Sequence, residues 1–322
     1  MTAIFPVPHP RSPLRLLVTG AQGQVGRAVS ALARGRGVDV RALTRSDLDV
    51  TDAHAVDLAL ASAVRGATPE AGPLAVLNCA AYTAVDRAES EPEAAFAVNR
   101  EGAAHLAAAC RTHGAALVHV STDYVFDGVR EAPYGPDDPV NPLGVYGESK
   151  WAGEEAVRGR LARHAIVRTA WVFSAHGKNF VRTMAGLVGA RDEVRVVDDQ
   201  TGHPTWAGHL AEGLVTVAER LASGGPAGTV HLAGDPAVTW HGLAAAVFAE
   251  ASRARGVPPP RLVPVPTSAY PTAARRPRTV RLRVGRAREW YGVGGGDWRE
   301  GVAAVVRDLT PRGEPPEAAG PR

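Results

Sequence analysis

Three glycines spaced three apart, Gly20, Gly23 and Gly26, follow directly on the apolar run Leu14-Arg15-Leu16-Leu17-Val18-Thr19. A short apolar run closed by glycine reads as a buried strand. After the glycines, Val25, Val29 and Leu32 form one stripe, which predicts a helix from about Gln24 to Arg34, ended by Gly35 and Gly37. A strand that turns through glycines into a helix constrains the chain more than any bulk property does. Gly20 permits the tight turn, Gly23 lets a pyrophosphate approach the helix N-terminus, and Gly26 lets helix and strand pack closely. The GxxGxxG spacing departs from the GxGxxG of many dinucleotide-binding turns.

The same alternation continues. Strands are expected at 38–43, 74–79, 116–121 and 165–168, with helices at about 53–65, 93–113 and 145–158 between them. The strands carry little polar alternation, as strands covered on both faces do. This predicts an α/β chain with a Rossmann-type, doubly wound parallel sheet. Shorter strand-like pieces at 194–197 and 229–232 and helices near 207–221, 240–255 and 297–309 follow, and a smaller mixed α/β lobe is expected beside the sheet. The stretch 257–277 is rich in proline and arginine. With 322 residues, about two units are expected.

Composition excludes several classes. Two cysteines, Cys79 and Cys110, exclude a disulfide scaffold and a four-cysteine zinc site. No apolar run reaches 18 residues, so no membrane span is expected. Residues 1–13 lack an apolar signal region, which predicts a cytoplasmic protein. The 36 basic and 33 acidic residues leave +3, which is no nucleic-acid footprint. Between Ala251 and Glu300, however, eleven arginines face three acids. That excess is either a solvated face in an arginine-biased chain or the grip on an anionic ligand such as a diphosphate. GxSxG, GxxxxGKS/T, HExxH and CxxC are all absent, and the histidines show no ligand spacing.

Tyr146 and Lys150 stand at i and i+4 and share a helix face. Tyrosine is a poor acid/base at neutral pH, and a nearby ammonium would lower its pKa toward the working range. Lys150 and Lys178 are the only lysines, so lysine has been kept here in a chain that otherwise writes arginine. Thr122 closes a strand, where ligands of open α/β sheets bind. Its hydroxyl can align a carbonyl for hydride attack. After the second strand, Arg45 would attract a 2′-phosphate, which favours NADPH, with NADH the alternative; Asp47 and Asp49 lie close by.

These residues resemble the extended short-chain dehydrogenase/reductases, and more narrowly the group of dTDP-4-dehydrorhamnose reductases. The resemblance spans about residues 14–282 and is carried by GAQGQVG, LDVTD, NCAAYTAVDRAESEP, STDYVFDG, NPLGVYGESKWAGE, RTAWVF, KNFVRTM, DDQTGHPT and PTSAYPTAARRP. It implies that Thr122, Tyr146 and Lys150 are catalytic, with Tyr146 protonating the sugar C4 oxygen. It implies that Gly20, Gly23, Gln24 and Val25 cradle the pyrophosphate, that Asp49 and Val50 flank adenine, and that Ala80, Ala81, Tyr82 and Asn99 line the cofactor path. Asp123, Val125 and Trp171 would face the deoxysugar. Asn179, Phe180 and Arg276 would hold the nucleotide-diphosphate end.

The implied organisation is a dinucleotide-binding unit at 14–172 and about 198–232. A sugar-nucleotide lobe at about 173–197 and 233–309 and flexible tails at 1–13 and 310–322 complete it. The implied reaction is NADPH-dependent reduction of dTDP-4-dehydro-L-rhamnose to dTDP-L-rhamnose, by a monomer or a homodimer. Where some members bridge a dimer through a metal-binding Glu after the glycine turn, this chain has Arg27-Ala28, so no metal is expected. Val280 and the Arg283-Val284-Gly285 continuation depart from the group's pattern. Three other readings stay open: a 4-ketoreductase for another dTDP-deoxysugar, of dihydrostreptose or antibiotic type; an epimerase or dehydratase with tightly held NAD; and a non-catalytic, NADP-binding regulatory subunit.

Overall fold

The computed structural model describes residues 14–65 and 71–310. The expected tails at 1–13 and 311–322 lie outside the described residues. Strand β1 (Arg15–Thr19) leads through the glycine turn into helix α1 (Gln24–Gly35), followed by β2 (Asp39–Leu43), α2 (Ala53–Val64) and β3 (Leu74–Asn78). Short helices α3 (Val85–Ala88) and α4 (Pro92–Phe96) run into a π turn at Ala97–Glu101 and then α5 (Gly102–Thr112). Strand β4 (Ala116–Thr122), helix α6 (Val145–Arg160) and strand β5 (His164–Thr169) complete the first half. The second half holds β6 (Val172–Phe173), α7 (Phe180–Leu187), β7 (Glu193–Val197), β8 (Thr201–Gly202), β9 (Thr205–Trp206) and α8 (Ala207–Ala222). It ends with β10 (Gly228–His231), β11 (Val238–Thr239), α9 (Trp240–Arg255), β12 (Arg261–Val265), α10 (Gly285–Tyr291) and α11 (Trp298–Leu309).

Six of these strands form one sheet in the order β10-β5-β4-β3-β1-β2, and every pair in it is parallel. The sheet is doubly wound, as the alternation predicts. After β2 the chain crosses back over β1 to reach β3, so the switch point lies between β1 and β3. Both faces are covered. Leu16 and Val18 of β1 join α1 and α8 on one side, while Leu17 joins α2, α5 and α6 on the other. Leu17, Val76, Leu117 and Ile166 are fully buried. Each such side chain contributes about 1.5–3 kcal/mol on leaving water, which is why the strands tolerate no polar alternation.

A third core gathers α7, α9 and α11 beside the parallel pair β7–β12, with Val181, Leu243, Phe248 and Val302 buried in it. Strand β12 falls inside the Pro- and Arg-rich stretch for which no strand is expected. Pro264 stands opposite Val196 there; proline is tolerated because this ribbon has only two strands, leaving an edge that needs no N–H. The single helix expected at 93–113 is interrupted by the π turn, a rare geometry that the apolar period does not signal. No helix among the described residues is long and apolar enough to cross a membrane.

Candidate active site

The carboxyl ends of β1 and β3 open on a cavity of about 270 Å³ lined by Gly20, Gln22, Gly23, Arg45, Asp49, Val50, Ala80, Ala81 and Tyr82. The glycine turn forms its floor. Gly20 has φ 64°, and a Cβ there would stand 2.6 Å from the Ala80 amide nitrogen, so only glycine fits. Gly23 caps α1 with extended backbone and no side-chain cap, and no acid stands in the first turn. Free N–H groups at the start of a 12-residue helix make a site for an anion. These residues fit the pyrophosphate of a dinucleotide.

The neighbouring carboxylates are engaged in the local turn. Asp47 accepts from the Thr44 amide at 2.9 Å and its hydroxyl at 2.6 Å. Asp49 accepts from the Thr51 amide at 3.0 Å and its hydroxyl at 2.8 Å, which holds its carboxyl below the usual range. Arg45 remains on the rim with its side chain 86% exposed, its guanidinium 3.9 Å from Asp49. The group free to meet a phosphate is therefore the cation.

Tyr82 and Asn99 play different parts. Asn99 is buried in the π turn; its Oδ1 accepts from the Tyr82 amide at 2.9 Å, and its Nδ2 donates to the Tyr82 carbonyl at 3.1 Å and to Ser149 Oγ at 3.0 Å. Asn99 thus holds the lining in place and does not itself line the cavity, a correction to its expected place. The phenol of Tyr82 donates to Glu91 at 2.6 Å.

The residues expected to be catalytic lie at and beyond the end of β4. Thr122 Oγ1 donates to Asp123 Oδ1 at 3.1 Å and accepts from the Tyr124 amide at 3.2 Å. The Tyr146 ring meets Tyr124 edge-on with centroids 5.6 Å apart. Lys150 is buried, and its Nζ donates to the Val120 carbonyl at 2.7 Å. Burial pushes Tyr146 up to about 12, against a lowering by Thr122. Burial also lowers Lys150 to about 8, opposed by Glu154 and Cys79. The expected lowering of Tyr146 by the ammonium is therefore corrected, because Lys150 is turned to the Val120 carbonyl. A phenol with a raised pKa holds its proton at neutral pH and is a weak acid, so it can give that proton only to a strongly basic oxygen. Asp123 is buried without a cation partner, which raises it to about 7.

Sequence reasoning missed what lies beneath Lys150. One turn further along α6, buried Glu154 accepts from Ser121 Oγ at 2.6 Å, from Arg168 at 2.9 and 2.7 Å, and from Arg158 at 2.8 Å. The ion pair joins α6, β4 and β5 just below Thr122. Its signal was present as the Glu that ends NPLGVYGESKWAGE.

On the other side of the site the expected contacts are largely reassigned. Val125 is fully buried with Phe126 and Tyr134, so its side chain does not face a sugar. Val25 packs against the sheet, leaving only its backbone near the turn. Gln24 and Asn179 bind each other, Asn179 Nδ2 donating to Gln24 Oε1 at 2.9 Å, while Asn179 Oδ1 caps α7 through the Arg182 amide at 3.0 Å. Phe180 packs in the third core against Trp240. Arg276 makes a bidentate pair with Asp86 at 2.6 and 2.7 Å beside Tyr124, apart from Asn179 and Phe180. The segment around it covers Tyr146, with Ala274, Arg275 and Pro277 lining a small void with the two tyrosines. The arginine excess is partly spent on such pairs, Arg286 with Asp137 and Arg261 with Glu193 among them.

Residues 14–310 match the family described as RmlD substrate binding domain. A dTDP-4-dehydrorhamnose reductase of Streptomyces griseus is 47% identical over 273 residues, 84% of this chain and 85% of that protein. A dTDP-4-keto-6-deoxy-D-glucose reductase of Streptomyces niveus is 42% identical over 298 residues, 92% of this chain and 94% of that one. The crystal structure of a dTDP-4-dehydrorhamnose reductase from Bacillus anthracis in complex with NADP matches with a TM-score of 0.81 at 31% identity, covering 91% of this chain and 99% of that one.

Proposed function

The chain belongs to the RmlD substrate binding domain family, and on that premise we propose that it reduces the C4 ketone of dTDP-4-dehydro-L-rhamnose to dTDP-L-rhamnose. The observation that carries this reading is that Tyr146 packs on Tyr124 and Lys150 binds the Val120 carbonyl, on either side of Thr122 in sequence, with only β3 between this strand end and the glycine cradle.

NADPH, when bound, supplies the hydride. Gly20, Gly23 and the first N–H groups of α1 hold its pyrophosphate, Ala80, Ala81 and Tyr82 border it, and Arg45 reads the 2′-phosphate. With no phosphate to read, NADH is the weaker alternative. Thr122 hydrogen-bonds the ketone oxygen and Tyr146 gives that oxygen its proton as negative charge develops there. Lys150, its Nζ held by the Val120 carbonyl, would hold the nicotinamide ribose. In this reading residues 14–172 and about 198–232 form the dinucleotide unit, and about 173–197 and 233–309 the sugar-nucleotide lobe.

A second reading keeps the ketoreductase chemistry and changes the sugar. The Streptomyces niveus relative favours it, since that protein's name specifies dTDP-4-keto-6-deoxy-D-glucose. The two substrates differ only in configuration at the carbons that a 3,5-epimerase inverts.

The test is NADPH oxidation at 340 nm, with the 4-keto sugar made in situ from dTDP-glucose by a dehydratase, with and without a 3,5-epimerase. Turnover that requires the epimerase supports the rhamnose reading. Turnover without it supports the second, and absence of turnover with either substrate overturns both.

A further inference from the structure

Trp171 is the one non-glycine residue with a positive φ, 44°, among the described residues. A bulky residue stays in that conformation only where its surroundings impose it. Here three contacts do so. Its carbonyl accepts the Thr205 amide at 3.2 Å. A Cβ at position 202 would stand 2.5 Å from the indole, so only Gly202 leaves room for the ring. Trp240 lies flat on it, with ring centroids 3.5 Å apart and planes 7° from parallel.

Trp240 is itself held. Its Nε1 donates to Gln200 Oε1 at 3.2 Å, and Phe180 tilts against it at 4.7 Å. Gln200 Nε2 in turn donates to Thr267 Oγ1 at 3.0 Å. Gln200 and Gly202 belong to DDQTGHPT and Thr267 to PTSAYPTAARRP. They converge on the tryptophan pair. Trp171 stands two residues beyond Thr169, the register partner of Thr122. Whatever orients Trp171 therefore orients a wall beside the catalytic hydroxyl.

We propose that Trp240 is a positioning residue that sets sugar specificity: stacked on Trp171 and pinned by Gln200, it fixes the orientation in which the indole meets the hexose. A flat, polarisable ring with one N–H recognises a sugar by its C–H face and hydroxyl edge together, so a fixed ring separates epimers that a mobile ring would accept alike. The inference rests on the 4-ketoreductase reading.

The experiment compares wild type, Trp240→Ala, Trp240→Phe and Gly202→Ala for KM and kcat with the epimerised and unepimerised dTDP-4-keto sugars. NADPH affinity and the circular-dichroism couplet of the stacked indoles are measured on the same proteins. Trp240→Ala is expected to lose the couplet and to raise KM for the preferred sugar about tenfold. It should narrow the preference between the two sugars, with kcat and NADPH affinity within twofold. Trp240→Phe keeps a flat ring on Trp171 and should keep most of the KM. Gly202→Ala displaces the same indole by another route and should raise KM in the same way, which preserves the test if Trp240→Ala does not fold. In Trp240→Ala, wild-type KM and preference despite the lost stacking overturn the proposal. So does a rise in KM accompanied by comparable losses of kcat, NADPH affinity and melting temperature, which marks a packing role alone. Wild-type protein that reduces neither sugar overturns the ketoreductase reading, and this inference with it.

Discussion

The cofactor side and the sugar side of this site are built by different means. The cofactor side is mostly backbone: a turn closed to any Cβ at Gly20, uncapped N–H groups at α1, and the strip Ala80-Ala81-Tyr82. Its parts lie within or close to one βαβ unit. The sugar side is mostly side chains joined over long sequence distances, Asp86 with Arg276, Gln24 with Asn179, and Trp171 with Trp240. A backbone cradle is a local property and is readable as a string. A wall of paired side chains is visible only when the pairs are known. The proposed catalytic set lies on the seam between them and should respond to neither alone.

Removing the proton donor should produce the largest effect. Tyr146→Phe is expected to lower kcat by about 10²-fold or more, with NADPH affinity unchanged by fluorescence titration. Retained turnover would remove the chemistry from the seam. Next comes the pH dependence of the wild type. Lys150 sits near 8, below the usual lysine value, so its charge is present below that pH and lost above it. Tyr146, near 12, keeps its proton over the same range. Turnover should therefore fall about tenfold per unit above pH 8, and Lys150→Arg should move that limb upward. A flat profile to pH 10 would separate Lys150 from the reaction.

Two smaller effects dissect the sides. Arg45→Ala should weaken NADPH by about tenfold and leave NADH and the sugar KM nearly unchanged. Equal losses with both cofactors would show that Arg45 does not read the phosphate. Asp86→Asn removes the partner of Arg276 beneath the segment that covers Tyr146. It should raise the sugar KM by about threefold, a modest cost because Asp86 is half exposed, without touching NADPH affinity. If either variant disturbed both ligands, the two sides would not be independent.

The same division explains what was legible in the sequence. The parallel sheet, the glycine turn and the Thr122, Tyr146 and Lys150 set follow from local period and spacing. Gln24, Asn179 and Arg276 were read as ligand contacts, but the partners that hold them lie 155 and 190 residues away, and no local pattern pairs them. Val125 was misread because the segment STDYVFDG gives no sign of which residues turn inward to Phe126 and Tyr134. The direction of the Tyr146 shift was misread for a physical reason: an i, i+4 lysine shares a face with the tyrosine, yet a carbonyl of the neighbouring strand captures its ammonium first. Strand β12 was hidden by its own proline.

The π turn at Ala97–Glu101 has a consequence for how this chain can vary in length. One residue more than an α-helix needs is wound into that turn, and it brings Asn99 round to the Tyr82 backbone and Ser149. Each helical residue advances the chain by about 100°. Deleting any single residue between Pro92 and Thr112 would let the helix relax to an ordinary pitch, yet swing the asparagine away from the groove. The segment therefore works as a phase marker: its length is as much a part of the site as its composition, and alignment gaps placed there would erase a functional residue without substituting one.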